Sequence, residues 1–250
     1  MSNYSKFLEY LAAKEETVPR IKGAENVLLY GVPGVGKSHE IQTKYCDDPE
    51  RMERVVFHPD YTYSDFVGQI LPKVENDKLK YEFTAGPFTT LLAKAWNNPG
   101  KEYYLVIEEI NRGNAPAIFG EIFQLLDRKT EDSHRYDPSE YGESEYPITN
   151  SDIATAVFGD PEEKIRIPSN MWILATMNTA DQNVFTLDTA FQRRWKLHHM
   201  KNDVMSAGHS KTKIEGSEIE WGTFASVINE MVTDYSLEMM SSEDKRLGAY

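Results

Sequence analysis

Gly31-Val32-Pro33-Gly34-Val35-Gly36-Lys37-Ser38 restricts the folds open to this chain more than any other stretch. It fits G-x-x-x-x-G-K-[ST] at every fixed position. Asn26 to Tyr30 reads as a short buried strand before it, and Ser38 to Tyr45 as a helix after it, which is the strand-loop-helix setting the motif requires. Glycines there let backbone N–H groups turn inward around phosphates, and the helix start adds positive potential. Lys37 then reaches the β/γ oxygens and the Ser38 hydroxyl ligates Mg²⁺. His39, next in the chain, belongs to the same contact stretch but caps or packs the helix rather than performing chemistry. The ligand class is a nucleoside triphosphate.

With 250 residues, 40% of them hydrophobic, the chain can bury the core of one large domain, or of one domain with a small appendage. Its 27 Lys and Arg against 40 Asp and Glu give a net charge of −13, which opposes non-specific adhesion to nucleic acid or acidic membranes. The single cysteine, Cys46, excludes an internal disulfide and a thiolate metal cluster, and it reads as an ordinary small residue. With neither a signal peptide nor a long apolar span, the expected compartment is the cytoplasm.

Strands and helices alternate along the chain. Tyr4, Phe7, Leu8 and Leu11 are spaced for a short amphipathic helix over Tyr4 to Lys14. Arg54 to His58 predicts a second strand, Tyr63 to Ile70 a helix begun by Thr62 or Ser64, Leu71 to Phe83 a short hairpin or loop, and Pro87 to Trp96 a helix stopped by Asn97-Asn98-Pro99-Gly100. Tyr103 to Ile107 and Met171 to Thr176 are apolar strands, Leu187 to Arg194 a helix, and Trp195 to His199 a possible last strand. This pattern predicts an α/β fold with a mainly parallel sheet covered on both faces and the phosphate site at the carboxyl ends of its strands. Between Thr130 and Lys164, ten acids stand against only Arg135 and Lys164, and the span reads as an exposed, solvated acidic insertion.

Glu108 and Glu109 end the apolar strand from Tyr103, where a phosphate loop needs carboxylates from a neighbouring strand. Glu108 is assigned to the Mg²⁺ shell, and Glu109 to orienting or deprotonating the water that attacks the γ-phosphorus. If the strand ending at Thr176 lies between the first and third strands, Asn178 emerges beside the γ-phosphate and can fix the same water; an asparagine that merely ties down a turn is equally compatible with the spacing. Arg193 and Arg194 end a helix. Either can serve a neighbouring subunit's site, and both also suit a helix C-terminus.

Taken together, these residues resemble the AAA+ superfamily, and within it the McrB family, the motor subunits of modification-dependent restriction systems. The resemblance covers most of the chain. It is carried by Phe57-His58-Pro59-Asp60-Tyr61-Thr62-Tyr63-Ser64-Asp65-Phe66, by Gly86-Pro87-Phe88, by Glu108-Glu109-Ile110-Asn111-Arg112-Gly113-Asn114 and most specifically by Met177-Asn178-Thr179-Ala180-Asp181, with Asp188 and Arg193-Arg194 behind it. It implies a homo-oligomeric, typically hexameric ring with nucleotide at subunit interfaces, Asn178 as the sensor asparagine, Arg193 or Arg194 acting in trans, and an McrC-like nuclease subunit as partner. DNA contact is expected indirectly or through pore loops, and no membrane contact. The implied organisation is an AAA+ core over 1–200, including the short N-terminal helix and the acidic insertion at about 130–164, followed by a partial helical lid over 201–250. Three departures stand out: Glu108 where the superfamily usually has Asp, no amino-terminal DNA-reading domain ahead of the motor, and an end at Ser242 to Tyr250 that resembles the interior of the lid.

The expected activity is Mg²⁺-dependent hydrolysis of GTP or ATP. The alternatives are an ATP-driven remodeler of MoxR or dynein-related type, and a nucleotide-gated scaffold with slow hydrolysis. Asn178-Thr179-Ala180-Asp181 superficially resembles a guanine-reading N-K-x-D motif, but a residue at a sensor-strand tip belongs near the γ-phosphate rather than the base. His198 and His199 are adjacent on a strand and so face opposite sides, which argues against a metal pair. Trp221 and Phe224 read as lid core rather than as a base-stacking platform.

Overall fold

The computed structural model describes residues 18–75, 77–131, 135–179, 184–235 and 246–249; the expected opening helix, Ala180, Asp181 and Ser242 to Lys245 lie outside them. Five parallel strands form the central sheet: β1 (Asn26–Gly31), β2 (Met52–Val56), β5 (Tyr103–Glu108), β6 (Met171–Asn178) and β7 (Lys196–His199). Their spatial order is β2-β5-β6-β1-β7. The inner strands β1, β5 and β6 are buried almost throughout, as parallel strands covered on both faces must be. The expected parallel α/β sheet is present, and β6 does lie between β1 and β5.

Side chains alternate between two cores. Leu28, Leu105, Ile107, Ile173 and Ala175 enter the larger core, which also holds Phe57, Phe66, Phe88, Phe119 and Phe191. Val27, Leu29, Tyr104, Val106 and Leu174 enter the smaller one, against Ile41 and Cys46. The larger core receives α3 (Pro87–Asn97), entered through Gly86 with proline in the first turn, and α4 (Ala115–Phe119), capped by Asn114. The smaller core receives α1 (Lys37–Glu40) and its wider-wound continuation Ile41–Tyr45.

Four local expectations are corrected. The second strand spans Met52–Val56, two residues earlier than expected. The helix expected to run to Ile70 is only α2 (Tyr63–Phe66), capped by Thr62 and Asp65 in a reciprocal box. At Gly68, with φ 137°, the chain turns instead into a long hairpin of β3 (Gly68–Glu75) and β4 (Lys78–Ala85). A Cβ at Gly68 would stand 2.4 Å from the Phe83 ring and 2.6 Å from the Thr84 carbonyl, so this close pairing needs glycine. The helix expected from Leu187 is α6 (Thr189–Gln192), because Asp188 accepts from the Phe191 N–H at 2.7 Å and so caps rather than continues it.

The fourth correction concerns the acidic span. It is not simply a solvated loop: Ile148, Ile153, Ala154 and Val157 are buried in the larger core. Its helix α5 (Ser151–Phe158) starts on Asn150, which accepts from the N–H groups of Asp152 and Ile153, and stops at Gly159 in a left-handed cap. Charge counts conceal this, since a few apolar residues at helical spacing suffice to anchor an acid-rich segment. After β7, Val204, Ala207, Ala225 and Ala249 form a small separate cluster with Trp221, the first residue of α7 (Trp221–Tyr235), whereas Phe224 is exposed.

Candidate nucleotide site

The site begins where β1 ends. Gly34 and Gly36 take left-handed φ values of 77° and 87°, which residues with a Cβ rarely adopt, and Gly36 directly precedes α1. Backbone of this kind makes a concave nest of N–H groups suited to anions. Val32 and Val35 are buried beneath the loop, Pro33 and Gly34 are exposed on it, and Ser38 and His39 occupy the exposed first turn of α1.

Lys37 is 8% exposed, and its Nζ donates to the carbonyls of Gly31 at 3.0 Å and Val32 at 2.9 Å. It also donates to Asn178 Oδ1 at 2.6 Å. Sheet register makes this contact possible, because Gly31 pairs with Asn178 across β1 and β6. The other end of the Asn178 amide donates to Glu109 Oε1 at 2.6 Å. An ammonium can only donate and a carboxylate can only accept, so these partners fix the amide orientation. One side chain therefore bridges the phosphate-loop lysine and the acid at the end of β5. Asn111, 3% exposed, adds a hydrogen bond from its Nδ2 to the Asn178 carbonyl at 3.0 Å.

Strand alternation alone would send Glu108 and Glu109 to opposite faces. Glu109 avoids this by adopting φ 55° and ψ 48°, a left-handed conformation costing about 1 kcal/mol or more for a non-glycine residue. Its N–H donates to Thr176 Oγ1 at 3.1 Å, and its carboxylate reaches Asn178, on the Glu108 side of the sheet. Arg112 lies 3.7 Å from the other Glu109 oxygen. Glu108 continues the face of Tyr104 and Val106, the one that carries α1. Arg54 of β2 donates to its Oε1 at 2.5 Å and Thr176 of β6 donates to its Oε2 at 2.5 Å.

These residues fit a Mg²⁺-nucleotide. Ser38 and Glu108 offer hard oxygen ligands, and the loop offers main-chain donors and a buried ammonium for phosphates. Among the described residues no group of three or more His, Cys, Asp or Glu could hold a metal by itself. His198 and His199 are both exposed; His198 lies 3.8 Å from Glu40, and the ring of His199 sits 5.0 Å from that of Tyr30.

The two arginines differ in setting. Arg194 NH2 pairs with Asp127 at 2.7 Å, NH1 donates to the Ala190 carbonyl at 2.6 Å, and the guanidinium lies 4.1 Å from the Phe123 ring centre. Arg193 is exposed. Both line a cleft of about 610 Å³ with Asp127, Arg128, Glu145 and Lys196, at the starting ends of β1 and β7 and away from the phosphate loop of the same chain. Burial alone pushes the Arg128 guanidinium down to about 9, and it is held by the Asn26 side chain and the carbonyls of Gly142, Pro168 and Met171.

Sequence reasoning passed over Thr176 and Arg54. Thr176 was findable, since it stands two residues before Asn178 in the strand and so shares its face. Arg54 was hidden by the misplaced second strand.

Residues 26–195 match the AAA domain family, dynein-related subfamily. A component of the type II restriction enzyme BsuMI, YdiS of Bacillus subtilis strain 168, is 35% identical across 98% of this chain and 79% of its own length. The type IV methyl-directed restriction enzyme EcoKMcrB subunit of Escherichia coli strain K12 is 30% identical across 72% of this chain, which spans only 36% of that subunit. A solved protein from Cytophaga hutchinsonii aligns with 71% of this chain and 42% of its own, at 19% identity and a TM-score of 0.39, a likeness too loose to add to the assignment. No helix among the described residues is long and apolar enough to cross a membrane. Matched by the family over most of its length and by a restriction-system relative across 98% of it, this chain belongs to the AAA+ P-loop nucleoside triphosphatases as a McrB-like member of the dynein-related AAA family.

Proposed function

We propose that the chain is the Mg²⁺-dependent motor of a DNA restriction system, hydrolysing GTP or ATP in a homo-oligomeric ring and driving a nuclease partner of McrC type. The observation that carries the hydrolytic reading is the Asn178 amide, which joins Lys37 to Glu109 through two 2.6 Å hydrogen bonds. A residue that touches both the phosphate-binding cation and the acid is positioned to hold a water between them. Bound Mg²⁺ supplies charge neutralisation at the transferring phosphoryl group. Lys37 binds the β/γ oxygens, Ser38 and Glu108 hold the metal side, and Glu109 orients and deprotonates the attacking water. To the described part of the chain after β7, which includes α7 (Trp221–Tyr235), we assign the role of a partial lid domain.

Arg193 is the residue we assign to the neighbouring subunit's site. Its exposure supports this, whereas Arg194 is committed to Asp127, Ala190 and Phe123 of its own chain. The two restriction-enzyme relatives support the system-level reading. A second reading, an ATP-driven protein remodeler, is favoured by the match to the dynein-related subfamily.

Phosphate release by purified protein, measured in parallel with GTP and ATP at several protein concentrations with Mg²⁺, tests the proposal. Turnover rising steeply with concentration is expected from interface catalysis, and GTP preference favours the restriction motor. ATP preference favours the remodeler, and absence of both binding and turnover with either nucleotide overturns the hydrolase reading.

A further inference from the structure

Glu108 is tied on both sides. Thr176 on β6 donates to one carboxylate oxygen and Arg54 on β2 to the other, each at 2.5 Å, so the side chain spans the two strands that flank β5. The register places Thr176 level with Glu108, one step past the Ile107–Ala175 pair, and Arg54 opposite Val106, two residues below Glu108 on the same face, from where its long side chain reaches the carboxylate. A carboxylate one methylene shorter sits nearer its own strand and is less able to reach both. The longer acid, a departure from the superfamily, thus has a structural counterpart in its two neighbours.

Thr176 does more than hold Glu108. Its hydroxyl oxygen also accepts the N–H of Glu109, at the left-handed turn that brings that carboxylate to Asn178. Only 1% exposed, it is sealed between the acids and the sheet. A hydroxyl has one proton to donate and lone pairs to accept with, so this residue serves both acids at once. Valine keeps its shape but can do neither.

We propose that Thr176 is the positioning residue of both acids, setting the Glu108 carboxylate for the metal shell and the Glu109 backbone for the water, with Arg54 as the opposing clamp on Glu108. This rests on the hydrolase reading above. Thr176 touches neither nucleotide nor metal in this role; it acts through the carboxylates. Arg54 is 38% exposed in its side chain, so it is the clamp that can yield when the outer Glu108 oxygen turns toward a hydrated cation.

The test uses the whole chain, with Mn²⁺ as the probe, in Thr176→Val, Thr176→Ser and Arg54→Gln variants. Mn²⁺ binding in the presence of a non-hydrolysable triphosphate is followed by electron paramagnetic resonance, and phosphate release is followed separately. Thr176→Val should weaken Mn²⁺ binding about tenfold, the order expected for one charge-assisted hydrogen bond, and slow turnover at saturating metal by at least as much. Nucleotide affinity in EDTA should stay within about twofold of wild type, since no phosphate contact is lost. Thr176→Ser should restore metal binding and most of the turnover, and Arg54→Gln should tighten Mn²⁺ binding by freeing the Glu108 oxygen that Arg54 holds, weaker binding removing Arg54 as the yielding clamp. Wild-type metal binding and turnover in Thr176→Val would overturn the proposal, as would a Thr176→Ser variant impaired equally with valine, which would mark a packing role. A wild-type chain that neither binds the Mn²⁺-nucleotide nor turns over would remove the hydrolase reading itself, and the proposal with it.

Discussion

Replacing Arg193 and Arg194 one at a time by alanine separates two guanidiniums that are adjacent in sequence but differently housed. Arg194 stands to lose a 2.7 Å ion pair with Asp127, whose side chain is 26% exposed against 10% for the arginine, so solvent screens the pair only in part. A hydrogen bond to a charged partner at such a site contributes about 1.5–3 kcal/mol. The stacking of the guanidinium on Phe123 at 4.1 Å adds about 1 kcal/mol. These contributions share one side chain and do not simply sum, which places the loss near 3 kcal/mol. In a domain of this size each kcal/mol moves the melting temperature by about 2–4 °C, so Arg194→Ala should melt roughly 6–12 °C below wild type. Arg193→Ala removes an exposed side chain and should stay within about 0.5 kcal/mol of wild type. Its cost should fall on catalysis, about a thousandfold in concentration-dependent turnover if its charge enters a neighbouring site. Differential scanning fluorimetry and phosphate release on the same preparations read both effects. Equal melting of the two variants would refute the placement of Arg194 in its own chain's framework, and full turnover by Arg193→Ala would refute its role in trans.

Glu109→Gln keeps the shape of the side chain and removes its basicity; nucleotide binding should persist while phosphate release falls at least a hundredfold, and normal turnover would remove Glu109 from the water-activating role. Lys37→Ala leaves Asn178 Oδ1 and two loop carbonyls without their ammonium donor and should weaken triphosphate binding about a hundredfold, read by fluorescent-nucleotide titration. In the larger core, burial first and then the Asp65 carboxylate push the Tyr61 phenol up to about 12. A raised folded-state value means that the folded chain holds the proton longer than the unfolded one, so this stabilisation is complete below the ordinary tyrosine value near 10 and is lost as pH climbs from there through about 12. Denaturation midpoints across that window should fall less steeply in Tyr61→Phe than in wild type; equal slopes would remove Tyr61 as a contributor.

The sheet and the phosphate loop were legible because their signals are local. Val27 to Tyr30 and Tyr103 to Ile107 are continuous apolar runs, and the glycines and lysine of the loop answer to one ligand. The position of Asn178 was legible only conditionally, since nothing in Trp172 to Thr176 states which strands it joins. What the sequence hid was mostly set by competition between neighbouring elements. Helical spacing after Tyr63 is overridden at Gly68, where pairing with β4 stabilises the chain more than three further helical residues would. Acid counting misjudged 130–164 for a similar reason: solvation of ten carboxylates is compatible with burying Ile153, Ala154 and Val157, which share one side of α5, and Ile148, which is held by a bridge to Ile165 just beyond the span.

The paired acids show the same limit at the scale of single bonds. Sequence places Glu108 and Glu109 at a strand end, and alternation then predicts divergent side chains. Their convergence depends on a left-handed backbone at Glu109 and on a hydroxyl presented by another strand, Thr176, some distance along the chain. Neither residue type advertises that relation, because threonine suits any strand and glutamate does not ordinarily favour a left-handed turn. The strain at Glu109 is held by hydrogen bonds to β6 from both its backbone and its side chain. The geometry of the candidate site is therefore a property of the β5–β6 pairing. A change in β6 that shifted its register by even one residue would move Thr176 and Asn178 to the opposite face and part both acids from their partners while leaving the phosphate loop intact.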